Sequence, residues 1–491
     1  MTFLNFINPI LPEITLFAGA LLVLILDIFF AKNRPEFFRI SYITALLFCF
    51  LSIYFISQND FMSQTFYRAM FYTNSFTCLV KFISIALLIF IIILSLNFIS
   101  HQNKISSEVI ALLMISTVGA MFLISANDFM TFYLALELQS LPLYLLAAIN
   151  KKSPRSSESG IKYFILGSTS SGLLLLGISL FYGFSGTTNF DAAFKLYLNS
   201  PIPPAVILGF VLILIAMFFK ISAAPFHMWT PDVYQGSNSI ITAFFATVAK
   251  FSATLIFVRI FLDVTTGWVG INNVLIFVAI ASITVGSLGA IKQTNIKRLL
   301  AYSSIGHIGF VVLGLSALSL EGIKSCVLYM IIYSFLSVGN FGFLTLFLGL
   351  KNGKSQGDND QDDDKIFAIS SLSGLSKTNP VLAATFAILM FSTAGIPPLA
   401  GFFAKFYVIS AAIKSGYIIT STIAILFSVI SAYYYLRIVK VMYFDEPTQN
   451  QIEFIERINP KIVVIAMALF NLFFILMLKN VLIAIATMLG F

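Results

Sequence analysis

Charge is what this sequence has least of. Only 10% of its 491 residues are Asp, Glu, Lys or Arg, against roughly 25% in ordinary soluble domains. A soluble fold of this length could not cover its surface with so few polar groups. Disorder, which needs charge and low hydrophobicity, fails on the same count. Cysteine is nearly absent as well. Cys49, Cys78 and Cys326 stand singly in apolar runs, which predicts buried thiols and no disulfide framework, zinc site or cysteine-ligated cluster. There is no GxGxxG after a strand and no Walker loop, so the chain itself is expected to bind no nicotinamide, flavin or ATP, and no metal. The net charge of +8 comes without a dense Lys/Arg stripe interleaved with aromatics, so no nucleic-acid partner is expected. The opening MTFLNFINPILPEITLF lacks a basic start and an A-x-A site, and predicts no cleaved signal peptide.

Hydrocarbon fills the chain instead. Apolar residues make up 59% of it and the mean hydropathy is +0.95, values that belong to a protein whose solvent is mostly lipid. A helix needs about 20 mostly apolar residues to cross a bilayer. On that measure the sequence predicts an all-α polytopic membrane protein with fourteen spans, near 11–30, 38–57, 77–99, 107–125, 128–149, 160–184, 204–224, 240–262, 270–290, 299–317, 322–349, 381–413, 416–443 and 461–489. The spans at 204–224 and 381–413 are interrupted by proline. The longest polar stretch, 351–379 with its DNDQDDD run, reads as a solvated loop, since it lacks the spaced ligands and turn glycine of a calcium loop.

The charges between spans set an orientation. Odd-numbered connections carry eighteen Lys and Arg residues and even-numbered ones six, Lys81, Arg259 and Lys414 among them. By the positive-inside rule the odd connections are cytoplasmic and both termini extracytoplasmic.

The informative charges are those left inside the membrane. Glu137, Lys220, Lys250 and Lys405 lie deep in apolar runs, with His307 near the middle of its own. Each central Lys or acid costs roughly 2.5–3.5 kcal/mol; four together approach a domain's whole net stability. Such a set points to an aqueous or hydrogen-bonded path inside the bundle. Glu137 stands five residues before Pro142 and Lys220 five before Pro225, and a proline frees the carbonyl four residues behind it. Lys405 follows Pro397 and Pro398 by two helical turns. Sequence reading therefore expects helix breaks at Pro142, Pro225, Pro397 and Pro398, each beside a charge. Lysine suits a proton relay because burial and a nearby carboxylate pull its proton affinity in opposite directions, and histidine titrates near neutrality unaided. For Lys162, Asp128 and Asp27, near span ends, snorkelling or local pairing is expected, and Trp229 reads as an interface anchor.

Four segments in order, SGIKYFILGSTSSGLLLLGISLFYG (159–183), FFKISAAPFHMWTPDVYQGS (218–237), KRLLAYSSIGHIGF (297–310) and AGIPPLAGFFAKFYV (394–408), resemble the antiporter-like subunits of respiratory complex I. The HMWTPDVYQG stretch has the form of that family's subunit-N branch. The resemblance implies two inverted five-helix repeats, each with a broken helix. Residues 1–106 would then be three N-terminal helices, 107–265 the first repeat (broken near Pro225), 266–444 the second (broken near Pro397 and Pro398), and 445–491 a C-terminal helix. Carried over by position, Glu137 is similar to the family's fifth-helix glutamate and Lys220 to the lysine of its broken seventh helix. Lys250 and His307 are similar to its connecting residues. Lys405 is similar to its terminal lysine, where sister subunits carry glutamate. Asn238 departs from the pattern by replacing a usual proline, which implies a local change in the loop. The implied function is proton translocation driven by quinone reduction, in an inner-membrane NADH–quinone oxidoreductase whose NADH, FMN, iron–sulfur clusters and quinone sit in partner subunits. The implied partners are the other membrane and peripheral subunits, neighbouring antiporter-like subunits included. The alternative is a subunit of a stand-alone cation/proton antiporter, which shares the fold and these lysines.

Overall fold

A computed structural model describes residues 7–31, 37–59, 63–101, 107–197, 202–264, 270–350, 360–447, 452–454 and 458–489. The loop charges Lys32, Arg34, Lys104, Lys351, Lys354 and Arg457, residues Asp358 and Asn359 of the acidic run, and the boundaries at 106 and 265–266 lie outside the described residues.

Apolar length dictates helix, because only a helix satisfies its own backbone in lipid. Thirteen helices among the described residues are long and apolar enough to cross a membrane. In chain order the first seven are α1 (Leu11–Leu26), α2 (Phe37–Gln58), α3 (Ser75–His101), α4 (Ser107–Ser125), α5 (Phe129–Ala147), α6 (Pro154–Ser185) and α7 (Pro204–Ile221). After a short α8 (Trp229–Gly236) come α9 (Ser239–Ile260), α10 (Ile271–Ile291), α11 (Ile296–Ser316) and α12 (Leu320–Leu344), then a short α13 (Asp360–Ile366). The remaining expected crossing is split into α14 (Pro380–Ala394) and α15 (Ala400–Lys414), ahead of α16 (Ile418–Phe444) and α17 (Ile458–Met488). Thirteen of the fourteen expected spans are thus matched by a long apolar helix, and the one at 381–413 by the shorter pair α14 and α15. Polar residues at their starts act as caps: Asp128, Ser153, Asn295 and Ser319 accept hydrogen bonds from the first free N–H groups of α5, α6, α11 and α12.

Contacts between connections sort the chain onto two faces. Odd connections meet one another: Arg155 pairs with Asp364 at 2.7 Å, Arg298 with Asp232 at 2.7 Å, and strand Phe347–Leu350 pairs with Ile452–Phe454. Even connections meet likewise: Asn127 N–H donates to Met70 O at 3.0 Å, Asn272 to the Tyr417 hydroxyl at 2.8 Å, and Lys414 pairs with Glu321. The alternation required by fourteen crossings is therefore built into the fold.

Two breaks fall where proline predicts them. Helix α7 ends on left-handed Ser222 (φ 64°) and α14 on left-handed Gly395 (φ 87°). Pro225 and Pro397–Pro398 lie in the irregular segments that follow, and the Ala224–Pro225 and Pro397–Pro398 bonds are cis. Pro142 does not break its helix, contrary to expectation: α5 runs through it. Helix α4 lies against that stretch, where Ser116 donates to Gln139 O at 2.9 Å, the carbonyl next to the Leu138 carbonyl that Pro142 frees. Gly119 permits the approach; a Cβ there would sit 2.8 Å from the Leu138 carbonyl carbon.

Three basic residues that sequence reading assigned to connections are buried. Lys81 lies in α3 and pairs with Glu13 of α1 at 2.7 Å, both at most 1% exposed. Arg259 in α9 donates to the carbonyls of Ile124 and Ala126 at the end of α4, which a helix leaves unsatisfied. Lys297 sits in the first turn of α11 at 3% exposure.

The acidic run is also more than a solvated loop. Asp360 accepts from Ser153, and Asp364 from Arg155, Gln235 and Asn295, so α13 clamps several odd connections together. Burial pushes the Asp364 carboxyl up, but its bonds to Arg155 outweigh this and hold it below the usual carboxylate range. Asp232 is likewise shifted down overall, its burial outweighed by hydrogen bonds from Lys162 and Arg298. Lys162 is locally paired, as expected. The three cysteines are buried.

Candidate functional site

The predicted charges line up across the bundle, each held by a hydroxyl or, for Lys405, by a backbone carbonyl, rather than by an opposite charge. On α5, Glu137, Ser140 and Tyr144 stand at i, i+3 and i+7 and share one face. The half-buried Glu137 carboxylate accepts from Ser171 of α6. One turn on, the Lys220 ammonium donates to Ser140 Oγ at 2.7 Å and Tyr144 Oη at 3.3 Å. Glu137 and Lys220 form no ion pair within 4 Å among the described residues, so the simplest static explanation, a direct buried pair, does not describe them.

Lys220 occupies the last turn of α7, beside the break. Trp229 serves that break. It is 2% exposed, stacks on Tyr163, and donates from Nε1 to Phe219 O at 3.0 Å, covering a helix-end carbonyl. It is no interface anchor. Ala224 N–H, inside the break, is pinned by Ser282 Oγ of α10 at 2.8 Å.

Gln139 carries the polar series onward, donating to Ser252 of α9 at 2.8 Å, two residues from Lys250. Lys250 follows a π-helical turn at Phe245–Ala249, a local widening often found at functional sites. Its ammonium donates to Ser304 Oγ of α11 at 2.8 Å and lies 5.2 Å from the Tyr234 ring of α8. Helix α11 is the spine of the second half: Ser304, His307 and Phe310 recur at i, i+3 and i+6. The His307 ring shares hydrogen bonds with Tyr329 Oη at 2.7 Å through Nδ1 and with Tyr435 Oη at 3.4 Å through Nε2. Tyr435 in turn bonds Ser303. Phe310 lies 5.5 Å from the Lys405 ammonium.

Lys405 spans the second break. From α15 it donates to Ala394 O, the last residue of α14, at 2.8 Å. Gly395 makes room: a Cβ there would stand 3.0 Å from Lys405 Cδ, on a backbone only glycine adopts cheaply. The side chain is 6% exposed and borders a cleft of about 450 Å³ that includes Phe402, Phe406, Ser410, Ile425 and Ser428.

Sequence reading missed the hydroxyls that hold these charges. Ser140 and Tyr144 were findable from their helical spacing to Glu137; Ser171, Ser304, Tyr329 and Tyr435 come from distant segments of ordinary composition and carry no such mark. Among the described residues no group of three or more His, Cys, Asp or Glu is placed to hold a metal ion.

A multi-pass helical bundle with two interrupted crossings and a lysine beside each defines a class, the discontinuous-helix fold of membrane transporters. Comparison with known proteins narrows it. The chain belongs to the family described as NADH:quinone oxidoreductase/Mrp antiporter, TM, whose profile matches residues 126–431. It is 43% identical over 450 residues to the NADH-quinone oxidoreductase subunit N of Paramagnetospirillum magneticum, covering 90% of this chain and 89% of that one. It is 40% identical over 455 residues to the subunit N of Rhodospirillum rubrum, covering 91% and 90%. Its fold matches a chain of respiratory complex I from Thermus thermophilus with a TM-score of 0.79 at 26% identity, over 97% of this chain and 99% of that one. The Mrp complex from Dietzia sp. also contains a chain of this fold, with a TM-score of 0.81 at 20% identity, a likeness of fold alone.

Proposed function

We propose that this chain is the non-redox, proton-translocating subunit N of a complex I, driven by electron transfer from NADH to quinone in partner subunits that hold the FMN, iron–sulfur clusters and quinone. The observation that supports this reading best is the series Glu137, Lys220, Lys250, His307 and Lys405, each bonded to a hydroxyl or an open carbonyl. Such groups exchange protons without committing to a fixed ion pair. The two repeats, 107–265 and 266–444, then act as matched half-channels, a division supported by the lysine beside each break. Tagged chain purified in mild detergent is expected to bring down flavin- and cluster-bearing subunits with NADH–quinone activity. Recovery of the chain only with other antiporter-type subunits, and of sodium/proton exchange without NADH oxidation, would replace this reading with the stand-alone antiporter.

The proposed orientation puts the odd face, with α13, in the cytoplasm and both termini outside. Single cysteines introduced at exposed positions of the 351–379 segment should react with an impermeant maleimide only in inverted vesicles. Labelling in right-side-out vesicles would reverse the assigned direction of the path.

A further inference from the structure

The series above has no described link to the odd face, yet one buried lysine outside it sits between the two. Lys297 is 3% exposed in the first turn of α11, the end of a helix where the dipole opposes a cation. Nothing about closing the helix requires it there, since Asn295 already caps α11. Its ammonium donates to Ser237 O at 3.1 Å and lies 3.9 Å from the Phe367 ring. The charges that face it, Asp363, Asp364 and Arg155, belong to the α13 clamp on the odd face. On its inner side the chain turns from α8 into α9, and three buried hydroxyls on that turn, Tyr234 Oη, Ser237 Oγ and Ser239 Oγ, make no hydrogen bond. A buried hydroxyl without a partner is destabilising. Three of them on one turn that touches Lys297 at Ser237 O and Lys250 at the Tyr234 ring need a reason beyond packing. The last of them in the inward direction, Tyr234, carries the ring that lies against Lys250.

We propose that Lys297 and the Tyr234–Ser237–Ser239 hydroxyls form the proton inlet from the odd face to Lys250. This rests on the translocation reading above. Once side-chain rotation and entering water bring these free hydroxyls into hydrogen-bond reach, a proton taken from odd-face water by the Lys297 amine is handed to a hydroxyl or water oxygen as that group releases its own proton inward. Lys250 receives the final proton, and the hydroxyls then rotate back. No bond other than O–H and N–H changes, and no oxidant or reductant is consumed. The α13 helix shields the outer end, with Asp363 and Asp364 supplying negative charge near the entrance.

The test uses the assembled complex in vesicles, with Lys297→Met, Lys297→Arg and Tyr234→Phe, and with Lys220→Ala as reference. Lys297→Met and Tyr234→Phe are each expected to slow pumping about tenfold or more, the low side of what a lost proton-transfer group costs. The slowed rate should rise in proportion to proton concentration on the odd face, while a flat response is expected of the unmodified complex. Lys297→Arg should not restore the rate, because guanidinium does not release its proton. Wild-type pumping in Lys297→Arg with slow pumping in Lys297→Met would make Lys297 a structural tie for α8 and overturn the inlet. So would wild-type rates in both Lys297→Met and Tyr234→Phe while Lys220→Ala abolishes pumping. Unchanged pumping in Lys220→Ala would instead sink the translocation reading itself. If Lys297→Met fails to assemble, Tyr234→Phe, which removes one oxygen atom, decides the matter alone.

Discussion

Glu137→Gln should leave the complex assembled and reduce proton pumping by about tenfold or more, equivalent to at least ~1.4 kcal/mol on the rate-limiting step. The substitution keeps the shape of the side chain and an oxygen for Ser171 to bond, and it deletes only the charge. A packing role for Glu137 therefore predicts no change at all. Lys220→Ala should be at least as damaging, because it removes the group held by Ser140 and Tyr144 beside the α7 break. Electron transfer measured with the proton gradient collapsed should fall less than pumping in both variants if, as proposed, the redox centres sit in partner subunits. Measuring NADH oxidation and proton uptake in the same vesicles separates the two. Wild-type pumping in both variants would remove α5 and α7 from the path.

Much of this architecture was legible in the sequence because the bilayer enforces simple rules. Twenty apolar residues specify a crossing, and a charge within them stands out because it is costly. That logic located Glu137, Lys220, Lys250, His307 and Lys405, and the proline logic located two interruptions. The same logic overreached at Pro142. There α5 continues while packed closely on α4 at Gly119 and Ser116, and the sequence of α5 alone does not announce its neighbour. Charges near span ends were misread for a related reason. Lys81 and Lys297 stand where a chain leaving the membrane would place a loop lysine. Whether each turns outward or inward depends on Glu13 and on the carbonyl of Ser237, 68 and 60 residues away in sequence. The acidic run was recognisable as polar, but its role as a clamp depends on Ser153, Arg155, Gln235 and Asn295, drawn from three different connections.

Lys405→Arg is expected to block pumping nearly as completely as Lys405→Ala. The ammonium of Lys405 is the sole charged group seen to bridge α14 and α15 among the described residues, through Ala394 O. In the proposed relay, the step beyond His307 therefore depends on its giving up a proton. Arginine keeps the positive charge and the capacity to donate to that carbonyl, and the cleft of about 450 Å³ beside the side chain has room for the larger head. What it lacks is a proton it can release at any accessible pH. A lysine that merely ties the two half-helices together would be replaced well by arginine and poorly by alanine, so the order of the two variants carries the test. Assembly has to be established first. A buried partner left unpaired can cost about 3–5 kcal/mol and imitate a transport defect through loss of the subunit. In complexes of normal subunit content, pumping by Lys405→Arg at the wild-type rate, with Lys405→Ala inactive, would make Lys405 a structural cation. The path would then leave the bundle at His307, through the Tyr329 and Tyr435 hydroxyls bonded to its ring.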